Sequence, residues 1–229
     1  MISFLVFVPI LLFSVVAHEY AHAWTAFRQG DPTAYMLGRL TLNPLPHIDP
    51  MMSILVPVGL WFLSHGTFTF GSAKPVPINP RNFRNYRRGD LIVSSAGIVT
   101  NLGLALVCAV VFALFGVLGQ ALPASAAVLG LLQRMMFFGI FLNYVLAVFN
   151  LVPLPPLDGS HIFYHLLPPA LGARYRAVGR YGFLVLLVTF MVPGLSGVWD
   201  VLLWPAGAAS GLTLGAVGGF ALPGALHGL

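Results

Sequence analysis

Residues 11–30 read Leu11-Leu12-Phe13-Ser14-Val15-Val16-Ala17-His18-Glu19-Tyr20-Ala21-His22-Ala23-Trp24-Thr25-Ala26-Phe27-Arg28-Gln29-Gly30, placing three ionisable side chains at the end of an apolar run that starts at Met1. The periodicity is helical, and His18 and His22, spaced i and i+4, share one face of that helix. With Glu19 between them they form H-E-x-x-H, in which two imidazoles reach one metal ion and the carboxylate beside them can take a proton from a water. Ionisable residues at bilayer depth are costly and normally functional, which favours a metal over the alternative of a buried polar cluster.

The rest of the chain explains why that helix is read as a membrane span. Of 229 residues, 58% are apolar and only 7% charged, against about 25% charged in an average soluble domain. Charge-free runs cover Met1–Ala17, Met51–Ala73, Leu91–Gln133, Met135–Leu157, Tyr181–Trp199 and Val201–Leu229. A spanning helix needs about 20 such residues. The composition excludes a soluble globule, a disordered chain and a disulfide scaffold, since Cys108 is alone. The net charge of +5 comes from basic residues between the apolar runs, as in cytoplasmic loops, and it does not point to nucleic acid.

The expected fold is an all-α polytopic membrane protein with five to six hydrophobic helical segments. Thr33–Pro50 reads as short and β-like around Arg39–Pro44, and Met51–Ser64, interrupted by Pro57 and Gly59, as re-entrant. Asp90 is expected to open a helix from about Leu91 to Gly119, followed by a helix from Leu131 to Leu151 and a last full span from Tyr181 to Leu203. The tail from Pro205 is left as a weak further span or a loose terminus. Trp61, Trp199 and Trp204 read as interface anchors. One membrane-embedded domain, 1–229, is expected, with a catalytic core of about 1–167 and C-terminal helices over about 168–229.

A catalytic zinc takes three protein ligands, so H-E-x-x-H needs a third. Asp31, Asp49, Asp90 and Asp200 each lie in loops or near helix ends. Asp158 follows the proline-broken Asn150-Leu151-Val152-Pro153-Leu154-Pro155-Pro156-Leu157 and has no charged neighbour in sequence. It is the favoured ligand, with a helix N-cap as its other reading. His161 and His165 are also spaced i, i+4, but they read as interfacial polar residues, and His47 as a loop residue beside the site.

The two long motifs, His18-Glu19-x-x-His22 and Asn150-x-x-Pro153-x-Pro155-x-Leu157-Asp158-Gly159, resemble the site-2 protease family of intramembrane zinc metalloproteases, peptidase family M50. The likeness continues through Gly38–Pro44, His47–Pro50, Phe70–Val76, Ala96-Gly97 and Asn101. Ile98 stands where the family usually has Pro, and Met52 where Gly often follows Asp-Pro. The resemblance implies His18, His22 and Asp158 as ligands of one Zn²⁺ per chain and Glu19 as catalytic base. It further implies that Asn150 and Asn101 contact substrate. A minimal form without PDZ or CBS domains is expected, acting on single-span membrane proteins in the lipid bilayer. The alternative is a non-enzymatic membrane metal-binding or metal-transport protein.

One metal site shared by the first helix and the segment after Leu151 requires those two helices to run in the same direction. With Met51–Ser64 re-entrant, ten of the eleven Lys and Arg fall on one side, leaving only Arg134 across the bilayer. That places the site in the cytoplasmic half of a prokaryotic plasma membrane.

Overall fold

The computed structural model describes residues 2–56, 59, 62, 73–192, 194–195, 197–223 and 225–226. Four helices among them are long and apolar enough to cross a membrane: Val6–Gln29, Tyr86–Ala121, Pro123–Leu151 and Gly197–Phe220. We label the elements α1 (Ile2–Gln29), α2 (Thr33–Met36), α3 (Tyr86–Ala121), α4 (Ala126–Leu151), α5 (Asp158–Tyr164), α6 (Pro169–Val178), α7 (Gly182–Met191) and α8 (Gly197–Val217).

α1, α3 and α4 form the core, and small residues let their backbones approach. Ala26 and Ala105 are fully buried, and Gly139 of α4 abuts Cys108 of α3 and Ile10 of α1. The outer face of α3 instead presents Val99, Leu106 and Val110 outward, as lipid contact requires.

Contacts along α1 fix the helix directions. Ile10 meets Gly139 and Ser14 meets Asn143, so α4 runs parallel to α1. His18 meets Asn101 and His22 meets Val93, so α3 runs antiparallel. The parallel pair is what a shared metal site demands.

α1 stops in a Schellman-type turn, in which Gly30 takes φ +111° and the Asp31 N–H reaches the Ala26 carbonyl at 2.9 Å. The Arg84 N–H then bonds the Gln29 carbonyl at 2.9 Å, and the Lys74 N–H bonds the His47 carbonyl at 2.9 Å. The connection from α1 to α3 therefore departs from and returns to one end of the bundle. Six of the fourteen residues of the expected re-entrant stretch Met51–Ser64, Pro57 among them, lie outside the described residues; Pro50–Leu55, at its start, forms a π-helical turn.

Several expectations are corrected. The β-like stretch over Thr33–Pro50 contains no strand. Thr33–Met36 is helical, Leu45–His47 is a 3₁₀ turn, and the side chains of Thr41 and Asn43 accept from the N–H groups of Asn43 and Leu45. Such side-chain turns offer the backbone an alternative to a ladder. Among the described residues four helices are long enough to span, against the five to six segments expected, and Tyr181–Leu203 is not one helix. α7 has ten residues, roughly 15 Å. Val192, which precedes a proline, is extended at φ −86° and ψ 115°, and Gly194 takes φ +95°. Of the two readings of the tail from Pro205, the further span fits the described residues: α8 carries Pro205 and runs to Val217.

Asp90 does not cap α3 either. Asn85 does, accepting from the Arg88 N–H at 3.0 Å, so the helix begins at Tyr86 and buries Asp90 in its second turn. Trp199 is no interface anchor, for it stacks on Phe190 at 4.5 Å between α7 and α8; Trp204 is exposed and Trp61 lies outside the described residues.

Candidate metal centre

α1 delivers His18 and His22 as neighbouring buried imidazoles, and each is oriented from behind. His18 Nδ1–H donates to Asn101 Oδ1 at 2.6 Å, and His22 Nδ1–H donates to the Val93 carbonyl at 2.7 Å, both on α3. These bonds leave both Nε2 lone pairs pointing inward, an outer-shell arrangement usual for metal-ligating histidines. Asn101 is itself held, because its Nδ2 donates to Asn143 Oδ1 at 2.8 Å, and Asn143 Nδ2 reaches Ser14 Oγ at 2.9 Å. This polar ladder joins α3, α4 and α1, and all three of its residues are fully buried.

Asp158 arrives through the proline-broken turn after α4. Gly159 packs so tightly on the Leu151 carbonyl that a Cβ would collide with it, which folds the chain back and aims the preceding carboxylate at α1. Asp158 Oδ2 lies 3.2 Å from His18 Nε2 and 3.2 Å from His22 Nε2, and the two Nε2 atoms are 3.0 Å apart. Tetrahedral zinc ligands at about 2.0–2.1 Å are separated by about 3.3–3.4 Å, close to this triangle. With both imidazoles neutral and their Nδ1–H groups directed outward, the three facing atoms all carry lone pairs, and Asp158 Oδ2 is a buried acceptor without a hydrogen bond. Three converging lone pairs repel one another unless a cation lies among them. The residues fit a zinc ion. Among the described residues, this is the single cluster of three His, Cys, Asp or Glu groups close enough to share one ion.

Gly97 makes the site possible. It stands on α3 against both imidazoles, and a Cβ there would overlap His18 and His22. The Ala96-Gly97 motif thus has a steric reason.

Glu19 sits beside the triangle and does not join it. Its Oε2 accepts from the Val76 N–H at 2.8 Å. Val76 lies between Pro75 and Pro77, so that stretch of chain has a single N–H, and it is spent on Glu19. The segment is pinned at both ends. Arg39 donates to the Lys74 carbonyl at 2.8 Å, and buried Asp31 accepts from the Asn79 N–H at 2.7 Å. Asp31 also accepts from Thr33 and from Asn82 Nδ2, and these bonds outweigh burial and hold its carboxyl below the usual range.

A cavity of about 650 Å³ opens on the site, lined by Glu19, Asp158 and Asn150 and by apolar Val15, Leu146 and Phe149. Asn150 Nδ2 donates to the Leu146 carbonyl at 3.0 Å, leaving the rest of its amide at the cavity wall. Asn101 is differently placed: fully buried, with its amide engaged by His18 and Asn143. His47 folds into its own loop, its Nε2 3.0 Å from the Thr41 carbonyl, while Asp49 reaches the cavity.

Sequence reasoning missed four participants: Asn143, Val76, Asp90 and His161. The last two also line the cavity. Asp90 Oδ1 is 3.2 Å from His161 Nδ1 and Oδ2 is 2.7 Å from His165 Nε2. The Asp90 bond raises the His161 imidazole above its ordinary value, against burial and the Arg176 charge. The i, i+4 spacing of the two histidines was visible in sequence, but the carboxylate that joins them was not.

Membrane-embedded metallopeptidases are the class that this bundle and ligand set define. Comparison with known proteins narrows that class: the description Peptidase family M50 matches residues 80–192. YwhC of Bacillus subtilis, named as a zinc metalloprotease, is 42% identical over 197 residues, which cover 85% of this chain and 82% of YwhC. Rip2 of Mycolicibacterium smegmatis, also named as a zinc metalloprotease, is 32% identical over 81% of this chain and 66% of its own length. Rip2 of Mycobacterium tuberculosis is 32% identical over 84% and 70%. No solved structure matches the chain significantly. The chain belongs to peptidase family M50.

Proposed function

We propose that this chain is an intramembrane zinc metalloprotease that hydrolyses peptide bonds in or beside the transmembrane segments of membrane-protein substrates. The observation that carries the reading is the triangle of His18 Nε2, His22 Nε2 and Asp158 Oδ2, three ligand-type atoms 3.0–3.2 Å apart. One zinc ion held there supplies Lewis-acid polarisation of the scissile carbonyl and acidifies a water. Glu19 accepts the proton of the attacking water and returns it to the leaving nitrogen as the C–N bond breaks. The Val76 N–H keeps one carboxylate oxygen fixed, so the other is free for that transfer.

Asn150 holds the substrate backbone at the cavity wall. Asn101 acts from behind His18, fixing its tautomer, in place of the direct substrate contact that the family resemblance implied. The proline-broken turn at Pro153–Pro156 is acceptable at membrane depth because it borders a cavity that admits water and an unwound substrate. Residues 1–167 form the catalytic core, and 168–229 add the C-terminal helices.

The site lies in the cytoplasmic half of a prokaryotic plasma membrane. Arg28, Arg81, Arg84, Arg87 and Arg88 cluster where α1 ends and α3 begins, and such clusters stay on the cytoplasmic side. His22 is six residues from Arg28, about 9 Å along the helix.

Purified protein and its Glu19→Gln, His22→Ala and Asp158→Ala variants separate the roles. Glu19→Gln should keep one zinc and lose cleavage of a single-span peptide, while the other two lose both. Cleavage that survives Glu19→Gln, or zinc that survives His22→Ala, contradicts the proposal.

A further inference from the structure

Asp90 and His161 take no part in holding the metal, yet both face the cavity that contains it. Asp90 is 4% exposed and each of its oxygens takes one imidazole, Oδ1 from His161 Nδ1 and Oδ2 from His165 Nε2. The two histidines differ in exposure. The His165 side chain is buried and its ring lies edge-on to Tyr86 and Tyr164. The His161 side chain is 50% exposed, and its Nε2 makes no hydrogen bond among the described residues.

A bond that only fastened α5 to α3 would be complete with His165, which is short, buried and well packed. It gives no reason for a second imidazole held by one nitrogen and open at the other. Position supplies a reason. Asp158 and His161 are three residues apart on α5, and so share one face. Their backbones are about 4.5 Å apart along the helix axis, and both side chains line the one cavity. A carbonyl oxygen on a substrate lying across the site would come between them.

We propose that His161 is a catalytic residue, oriented by Asp90, whose Nε2–H donates a hydrogen bond to the scissile carbonyl oxygen as negative charge builds on it. No bond to His161 is made or broken, and Asp90 is a positioning residue. The doubly protonated imidazole that this requires is the form that a neighbouring carboxylate favours. Preorganised donors of this kind contribute about 10²–10³ in kcat. The inference rests on the peptidase reading above.

The test uses the zinc-loaded full chain in lipid nanodiscs, with a synthetic single-span Leu/Ala/Gly peptide carrying a fluorophore and quencher at its ends. His161→Ala should lower kcat by about 10²-fold, with KM within about threefold of the parent, one zinc per chain and an unchanged melting temperature. His161→Gln, which keeps an amide donor, should recover part of the loss. Asp90→Asn should lower kcat in the parent and have no further effect in His161→Ala, since the two act as one unit. A loss under tenfold for His161→Ala, or one accompanied by loss of zinc, overturns the assignment. A further tenfold loss for Asp90→Asn in the His161→Ala background overturns the positioning role. A parent no more active than Glu19→Gln refutes the peptidase reading itself and takes this inference with it. That outcome is distinct, because then no variant differs from the parent.

Discussion

His18 with His22 on α1, and His161 with His165 at α5 and its C-cap, are the same pattern twice: two histidines one helical turn apart, met by one aspartate from another element. Only the first converges on one point. There both imidazoles turn Nε2 to a single oxygen of Asp158, and both Nδ1 protons are spent on Asn101 and Val93. In the second, the imidazoles use different nitrogens and take separate oxygens of Asp90, so nothing converges. Spacing places two imidazoles on one face. Whether they ligate depends on what stands behind them.

The largest expected effect comes from removing the space that allows convergence. Gly97→Ala puts a methyl group where the His18 and His22 rings lie, so zinc affinity should fall by more than about 10²-fold, beyond the usual outer-shell loss. Competition with a fluorescent zinc chelator reads this directly. An affinity within tenfold of the parent would show that the rings can shift and still converge.

Removing the support behind one ring should cost less. Asn101→Leu frees His18 Nδ1 and should weaken zinc by about 10–100-fold; Asn143→Leu, one step further along the ladder, should cost less than Asn101→Leu in the same titration. Equal losses would mean that the ladder acts as a rigid block and does not orient the ring step by step. Asp90 supports His161 and His165 and bonds none of the three converging groups, so the matching change at the second cluster, Asp90→Asn, should leave zinc affinity unaltered.

The smallest effect concerns the segment that holds Glu19. Asp31 has its carboxyl lowered by its hydrogen bonds, so the stability it contributes is present above the unfolded value near 3.8 and lost as pH falls through the lower folded value. Melting temperatures of the parent should therefore drop steeply below about pH 4, and those of Asp31→Asn less steeply. Parallel curves would remove Asp31 from the account.

These contrasts also mark what could be read from the chain alone. H-E-x-x-H and Leu157-Asp158-Gly159 identified the three converging groups, because metal chemistry restricts residue types and their spacing. Long apolar runs located α1, α3 and α4, since bilayer thickness sets their length. Hydropathy did not separate α7 from α8, because the charge-free run Tyr181–Trp199 carries no register and looks continuous until Val192 turns extended before a proline. Asp90 was misread for a local reason. It follows Arg87-Arg88-Gly89, which resembles the end of a loop, and the true cap, Asn85, lies five residues earlier. Its partners are 71 and 75 residues away, and no local pattern in α3 points to them.

On this reading metal binding follows convergence and not histidine spacing. Zinc X-ray absorption on the purified protein tests it most directly, with His22→Ala and the double variant His161→Ala/His165→Ala measured alongside. The account predicts one zinc with two imidazole nitrogens and one carboxylate oxygen at about 2.0–2.2 Å, unchanged in the double variant and absent in His22→Ala. Zinc that persists with its imidazole shell in His22→Ala and is lost in His161→Ala/His165→Ala would contradict it.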